Sequence, residues 1–365
     1  MQEIKFKIIL MLIFLSGFLF YSCHAGMIND FEDGDDVNNV GTGNLRVYEA
    51  YNDWQTLSVV PGGANGSSYA ARIVKDGSEN PCGENDRCST PINGLYYGRH
   101  YTYLFSDANA QGIPYEATAD SDRLSMYIKA PVGHNQTVSQ TPANLHLGTY
   151  TLIPGGTGNG THFYHWFNIQ GSDYWTKIIA NSHPQHQVAV SVDIVNNPVE
   201  WDYWPRMTRL YLQGILCSST ANETWMIDEI TGYTPSESED DDHITSISCT
   251  YLGNGRFQLG WFGSSSYDDI SDTFDVYYSS NPLLNHNYAS GTLGVDNLSD
   301  VIYGYDISNY FSTTIDTGIE SGDIYFAIKC NAADAPAYVS KIDYYISDTN
   351  MDTIAPASPS GLAVN

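Results

Sequence analysis

The dominant pattern along this chain is apolar–polar alternation with a period of two, in short runs separated by Gly, Asn, Asp, Ser and Pro. It predicts strands rather than helices. Over 123–129, Leu124, Met126 and Ile128 alternate with Arg123, Ser125, Tyr127 and Lys129. Over 162–169, Phe163, Phe167 and Ile169, joined by His165, oppose His162, Tyr164, Trp166 and Asn168. Val188, Val190 and Val192 are the apolar set of 187–194. Leu210 and Leu212 are that of 207–213, with Arg209, Tyr211 and Gln213 on the other parity. Further runs fall at 245–251, 256–262, 273–278, 301–305, 323–329 and 339–346. Alternate side chains of a strand point to opposite faces, so each apolar set is expected in a core and its counterpart on an outer face.

The ends and one internal segment break the pattern. Lys5 and Lys7 precede a largely apolar run, Ile8 to Phe20, too short for a membrane span, so residues 1–25 are read as an export signal. Two processing routes compete: removal after Ala25 behind Cys23-His24-Ala25, or a degenerate lipobox, Phe20-Tyr21-Ser22-Cys23, with a lipid anchor at Cys23. Both give a secreted or cell-surface chain with no transmembrane span. Residues 234–243, with Glu237, Glu239, Asp240, Asp241 and Asp242, carry no apolar periodicity and read as an acidic linker between 27–233 and 244–348.

Residues 244–348 are similar to a fibronectin type III sandwich. The likeness rests on Phe257-Gln258-Leu259-Gly260-Trp261 as a strand with a core Trp, on Phe274-Asp275-Val276-Tyr277-Tyr278, and on Tyr325-Phe326-Ala327-Ile328-Lys329, with Tyr325 as a candidate tyrosine corner. Such domains usually act as spacers. Residues 349–365 resemble the linker and opening strand of a further domain of this type, through Asp352 to Val364.

Residues 27–233 open with Met27-Ile28-Asn29-Asp30-Phe31-Glu32-Asp33-Gly34 and close with Trp225-Met226-Ile227-Asp228-Glu229-Ile230-Thr231-Gly232-Tyr233. This pairing resembles the first and last strands of galactose-binding-like jelly rolls, the sandwich of many carbohydrate-binding modules. The resemblance implies a structural Ca²⁺ held by Glu32 and Asp228 with nearby carbonyls, and hard oxygen ligands are what Ca²⁺ requires. The expected fold class is therefore all-β: an N-terminal jelly-roll β-sandwich plus a C-terminal fibronectin type III-like β-sandwich.

Charge narrows the partner. The 365 residues hold 15 Lys+Arg against 42 Asp+Glu, a net charge of −27, which excludes nucleic acid and anionic membrane surfaces because both need a basic footprint. Several of the scarce cations nevertheless fall among aromatic outer positions: Arg123, Lys129 and Arg209 with Tyr127, His162, Tyr164, Trp166 and Tyr211, and Lys177 beside Trp175. Aromatic rings stack on sugar C–H faces, while cations fix hydroxyl and carboxylate groups. This composition suggests a glycan face, for a polysaccharide or cell-surface glycan of acidic character. The competing reading is an ordinary solvated sheet face.

Cys82 and Cys88 suit a small disulfide-closed loop; Cys249 and Cys330 fall in two strands of the later domain, at positions for a second bridge; Cys217 is left over as a buried thiol. HExxH, GxSxG and P-loop signatures are absent. The glycine-rich run 155–160 reads as a turn. His162 and His165 lie on opposite faces of one strand, and His183 with His186 makes only two ligands. The enzymatic alternative is a jelly-roll lyase of uronate-containing polysaccharide. It would use Arg123 or Arg209 to neutralise the carboxylate and His162, Tyr164 or Tyr211 to move the proton. The expectation is a non-catalytic carbohydrate-binding protein with a type III spacer. The alternatives are the lyase and a surface adhesin or structural spacer without glycan ligand.

Overall fold

The computed structural model describes residues 26–29, 31–32, 48–50, 55–75, 101–106, 123–131, 145–152, 160–169, 171–180, 186–189, 207–213, 223–233, 244–263, 273–299, 310–331 and 339–346. Residues 1–25, read above as an export signal, Cys82 and Cys88 with their expected disulfide, Cys217, residues 153–159, His183, the acidic segment 234–243, the run 301–305 and residues 347–365 lie outside these described residues. The described part is all-β, and no helix in it is long and apolar enough to cross a membrane.

The first part supplies β1 (Gly26–Asn29), β2 (Tyr48–Ala50), β3 (Gln55–Pro61), β4 (Tyr69–Lys75), β5 (Tyr101–Ser106) and β6 (Arg123–Lys129). It continues with β7 (Leu145–Leu152), β8 (Gly160–Phe167), β9 (Thr176–Ala180), β10 (His186–Ala189), β11 (Met207–Gln213) and β12 (Glu223–Tyr233). The second part supplies β13 (Ile244–Gly253), β14 (Arg256–Gly263), β15 (Phe274–Ser279), β16 (Thr292–Leu298), β17 (Tyr310–Asp316), β18 (Gly322–Cys330) and β19 (Ser340–Ile346). Every pairing is antiparallel. One six-stranded sheet runs β10-β8-β7-β11-β5-β2 and one four-stranded sheet runs β16-β15-β18-β19. Between them lies a nine-stranded sheet, β17-β14-β13-β9-β6-β12-β4-β3, with β1 added beside β12.

Local chemistry explains several elements. The β13–β14 hairpin turns on Asn254 and Gly255, both at positive φ (53° and 71°), the Asn-Gly pair that a two-residue hairpin matching the strand twist requires. A side chain at Gly255 would also collide with the Gly318 backbone, its Cβ only 2.8 Å from Gly318 Cα. On β14, Phe257, Leu259 and Trp261 alternate into the second core, where Trp261 stacks on Phe311 at 5.7 Å. Burying a side chain such as Phe257 or Leu259 contributes about 2 kcal/mol each.

The central sheet passes without a break from the first part to the second. β13 pairs with β9 from Ser246 opposite Ala180 to Thr250 opposite Thr176, so one sheet spans the boundary expected at 234–243. Along this sheet β12 and β13 are separated by β6 and β9, a gap of about 14 Å at the usual strand spacing.

That continuity overturns part of the parity reading. Leu124, Met126 and Ile128 fill the first core as expected, between the six-stranded and nine-stranded sheets. Arg123, Ser125 and Tyr127, expected outside, are buried as well, and so are all five residues of β9. The physical reason is a second covering layer: Tyr127, Trp175 and Ile179 pack in one cluster with Tyr251, Phe257, Ile342, Tyr344 and Ile346 of the second part. Two strands of the second part, β16 and β17, have no counterpart in the sequence reading; β16 is exposed along most of its length and shows no alternation.

The expected Cys249–Cys330 bridge is also corrected, since both residues are buried thiols. Cys330 faces Phe274, whose ring packs on Trp261 and Phe311. Cys249 faces Leu259, two residues along β14 from Trp261. Cys249 on β13 and Cys330 on β18 stand on different sheets and both line the second core.

Candidate functional site

Two regions gather candidate residues. The first is the turn between β3 and β4, Gly62-Gly63-Ala64-Asn65-Gly66-Ser67-Ser68, which draws in both residues expected to hold a cation. Asp228, fully buried on β12, accepts from Ala64 N through Oδ2 (2.7 Å) and from Glu229 N through Oδ1 (2.8 Å). Burial pushes its pKa up to about 7, against the lowering pull of the backbone hydrogen bonds and of Ser67. Glu32 Oε1 accepts from Ser67 Oγ (2.7 Å), from Tyr69 N (2.9 Å) and from Ser68 N. The Ser67 hydrogen bond leads the set that holds its carboxyl below the usual value.

At this turn one hydroxyl is shared by several acceptors. The Ser67 hydroxyl is within hydrogen-bond reach of Glu32 Oε1, of Tyr69 O (2.8 Å) and of the Asp228 carboxylate, yet it has one proton to give. A Cβ on Gly63 would stand 2.2 Å from Ser67 Oγ, 2.3 Å from Asp228 Oδ2 and 2.4 Å from Tyr69 O, so only glycine fits among these oxygens. Among the described residues no group of three or more His, Cys, Asp or Glu gathers. A hard cation does not need one, because carbonyl and hydroxyl oxygens complete its shell. Two carboxylates, a hydroxyl and a carbonyl around one spot suit such a cation. Backbone strain frames the same place: Phe31, Asn65 and Glu229 all hold positive φ (58°, 50° and 46°), a region non-glycine residues keep only when their surroundings force it. Glu32 and Asp228 are the residues expected here from sequence; Gly63, Asn65 and Ser67 are not among them. The glycine- and serine-rich turn was the readable signal.

The second region is the six-stranded sheet. On it Leu145, Leu147, His165, Phe167, Leu210 and Leu212 are buried toward the first core, which assigns one parity of β7, β8 and β11. The other parity holds His162, Tyr164, Arg209 and Tyr211 of the expected face. Register sets them in rows across the sheet. One row runs His186, Tyr164, Gly148, Tyr211, Tyr103 and Tyr48 across all six strands, about 24 Å at the usual spacing. A flanking row runs Val188, His162, Tyr150, Arg209 and Ser106. On the other side come Trp166, His146, Gln213 and Tyr101. Tyr48, Tyr101, Tyr103, Tyr150 and His146 were not singled out from sequence, because only register reveals them as neighbours.

The remaining expected glycan residues do not join this face. Arg123, Tyr127, Trp175 and Lys177 are buried between the central sheet and the second part, and Lys129 is half-buried at the end of β6. Lys177 Nζ sits 5.7 Å from the Tyr127 ring centre and is ion-paired to Asp343. Burial pushes the Tyr127 hydroxyl up to about 12, against the lowering effect of the Lys177 charge. Trp166, at the end of its row on the six-stranded sheet, is half-buried and edge-on to Phe262 at 6.2 Å, while Ser246 Oγ donates to its carbonyl. The chain matches no protein-family model and no curated protein sequence.

Proposed function

We propose that this protein is an exported, non-catalytic carbohydrate binder that holds a polysaccharide or cell-surface glycan across its six-stranded sheet. The observation that carries the reading is the row His186–Tyr164–Gly148–Tyr211–Tyr103–Tyr48, flanked by Arg209 and Gln213. Stacking on sugar C–H surfaces calls for aromatic residues in line, with amide or guanidinium residues beside them for hydroxyls and carboxylates, and these register positions carry those residue types. The β17-β14-β13 and β16-β15-β18-β19 strand orders support a type III reading of the second part, and the two facing sheets before it support a jelly roll. We assign the Glu32–Asp228 turn to a structural Ca²⁺, with Ser67 Oγ and Tyr69 O as neutral oxygens. Its role is to neutralise a buried carboxylate and fix the β3–β4 turn.

The test is a soluble-polysaccharide panel (alginate, pectate, xylan, laminarin) read by affinity electrophoresis. Retardation by one or more polymers that is lost in Tyr164→Ala and Tyr211→Ala, with melting temperatures preserved, supports the reading. Retardation by none of the four, or retardation untouched by both substitutions, overturns it. One observation favours a second reading: His162, Tyr150 and Arg209 are adjacent in register, the combination β-elimination on a uronate needs. Ultraviolet absorbance from unsaturated uronates would mark the protein as a lyase, with Arg209→Lys abolishing it.

A further inference from the structure

We infer that Ca²⁺ at the Glu32–Asp228 turn and docking of the C-terminal sandwich are coupled: the turn that wraps the cation is also part of the surface on which that sandwich sits. The inference rests on the cation reading above.

The contacts form an unbroken path. Ala64 within the turn and Ala70 at the start of β4 are fully buried in the same cluster as Tyr127, Trp175, Tyr251 and Tyr344. Ala64 N is the donor to Asp228 Oδ2, so the residue that grips the buried carboxylate also belongs to the inter-sandwich core. The next residue, Asn65, donates from Nδ2 to Glu229 Oε2 (2.8 Å), and its side chain lies close enough to the Tyr127 hydroxyl to lower that group's pKa. Tyr127 meets Tyr344 of β19 edge-on at 6.1 Å, and Tyr344 OH donates to Trp175 O at 2.7 Å. Lys177, near the Tyr127 ring, closes the path on Asp343 of the same strand.

The strain gives this path two states. Asn65 and Glu229 hold left-handed backbone angles on either side of one hydrogen bond, and both flank the Asp228 carboxylate. With a cation present, the oxygens of the turn converge on it and these angles are enforced. Without it, the Glu32 and Asp228 carboxylates that share Ser67 Oγ face each other with no charge between them, the turn relaxes, and Asn65 moves away from Tyr127. A ligand that binds only the ordered turn stabilises whatever the ordered turn supports, by mass action. Here that is the seating of β19 on β6 and β9.

The experiment is hydrogen exchange by mass spectrometry on the full chain, with excess CaCl₂ and after chelation with EDTA, beside equilibrium dialysis with ⁴⁵Ca²⁺. The coupling predicts that chelation speeds exchange at least about tenfold in 64–73, 246–250 and 342–346, while the β15–β18 amides at 275–279 and 325–329 hold their protection. It further predicts that Tyr127→Phe, which keeps the ring and removes the hydroxyl, still binds Ca²⁺ but uncouples 342–346 from it. Deprotection confined to 64–73 overturns the coupling and leaves the cation reading standing. Uniform deprotection of every strand also overturns it, as global destabilisation. No ⁴⁵Ca²⁺ bound at all overturns the cation reading, and this inference with it.

Discussion

Lys177 Nζ lies 2.9 Å from Asp343 Oδ1, joining β9 to β19 across 166 residues of sequence. The two ends of this pair are unequal: the Lys177 side chain is 11% exposed and that of Asp343 is 59% exposed. Removing the carboxylate with Asp343→Asn strands an ammonium in a poorly hydrated site, for an expected cost of about 1–3 kcal/mol. Lys177→Met keeps the apolar stem against Tyr127 and leaves a carboxylate that water can reach, so it should cost less than about 1 kcal/mol. Desolvation raises the pKa of Asp343, but Lys177, by charge and hydrogen bond, outweighs it and the net shift is downward. The pair's contribution is thus present above the unfolded carboxylate value near pH 4 and lost as pH falls through the lowered folded value. Urea unfolding of both variants checks the order; equal losses would show that the asymmetry of burial is not what matters.

Asp228 has the opposite sign. Its pKa is raised to about 7 when folded, so between about pH 4 and pH 7 the metal-free folded chain keeps a proton that the unfolded chain has released. Stability from this group therefore falls as pH rises through that window and is flat above it. A cation that takes the proton's place acts most where the carboxylate is ionised. Calcium should thus raise the melting temperature far more at about pH 8 than at about pH 5, and Asp228→Asn should flatten the pH slope measured in EDTA. Equal calcium effects at the two pH values would contradict the assignment.

How far the sequence was readable follows from the range of the signal. Leu124, Met126 and Ile128 are buried as their alternation implied, and Phe257, Leu259 and Trp261 line the second core. These are period-two signals contained in seven residues. The other faces of β6 and β9 were misread because a strand's polar parity is exposed only if nothing covers it. What covers Tyr127 and Lys177 is a strand more than 160 residues away in the chain. The five residues of β9, Thr176–Ala180, are buried on both sides and show no clean alternation, the ambiguity expected of a short run enclosed between layers. That Glu32 and Asp228 meet at one turn was expected only through the resemblance of the first and last strands to galactose-binding-like jelly rolls. Gly63 and Ser67, which crowd Asp228, were not, because a turn's sequence does not say which distant carboxylate it will meet.

Gly63 tests that crowding directly. The backbone there is ordinary, with φ −84°, so no conformational objection to alanine exists. The objection is steric and electrostatic: the new methyl would stand 2.2–2.4 Å from three oxygens. Overpacking of this kind costs about 1–3 kcal/mol, and it separates the oxygens proposed to hold the cation. Gly63→Ala is expected to lower the denaturation midpoint and to abolish the calcium-dependent part of the melting temperature. Gly66→Ala, whose Gly66 has φ 86° outside the oxygen cluster, serves as a comparison that strains the turn without entering it. If Gly63→Ala retained the full calcium response, the oxygens would not be acting together.

The continuous sheet makes one further demand on the first part of the chain. If residues 27–233 were an independent module, a protein ending at Tyr233 would lose only its neighbour. In this structure it would also lose the strand that hydrogen-bonds along β9 from Thr176 to Ala180, and the cover over Tyr127, Trp175 and Ile179. An uncovered apolar edge strand is a template for pairing with other chains. The truncated protein is therefore expected to self-associate on size-exclusion chromatography and to unfold at a lower urea concentration than the full chain. Lysine in place of Ile179, on the newly bared face, should suppress the association in the truncated protein while disrupting the full-length one. A monomeric truncation with an unchanged midpoint would mean that β13 adds to β9 without supporting it.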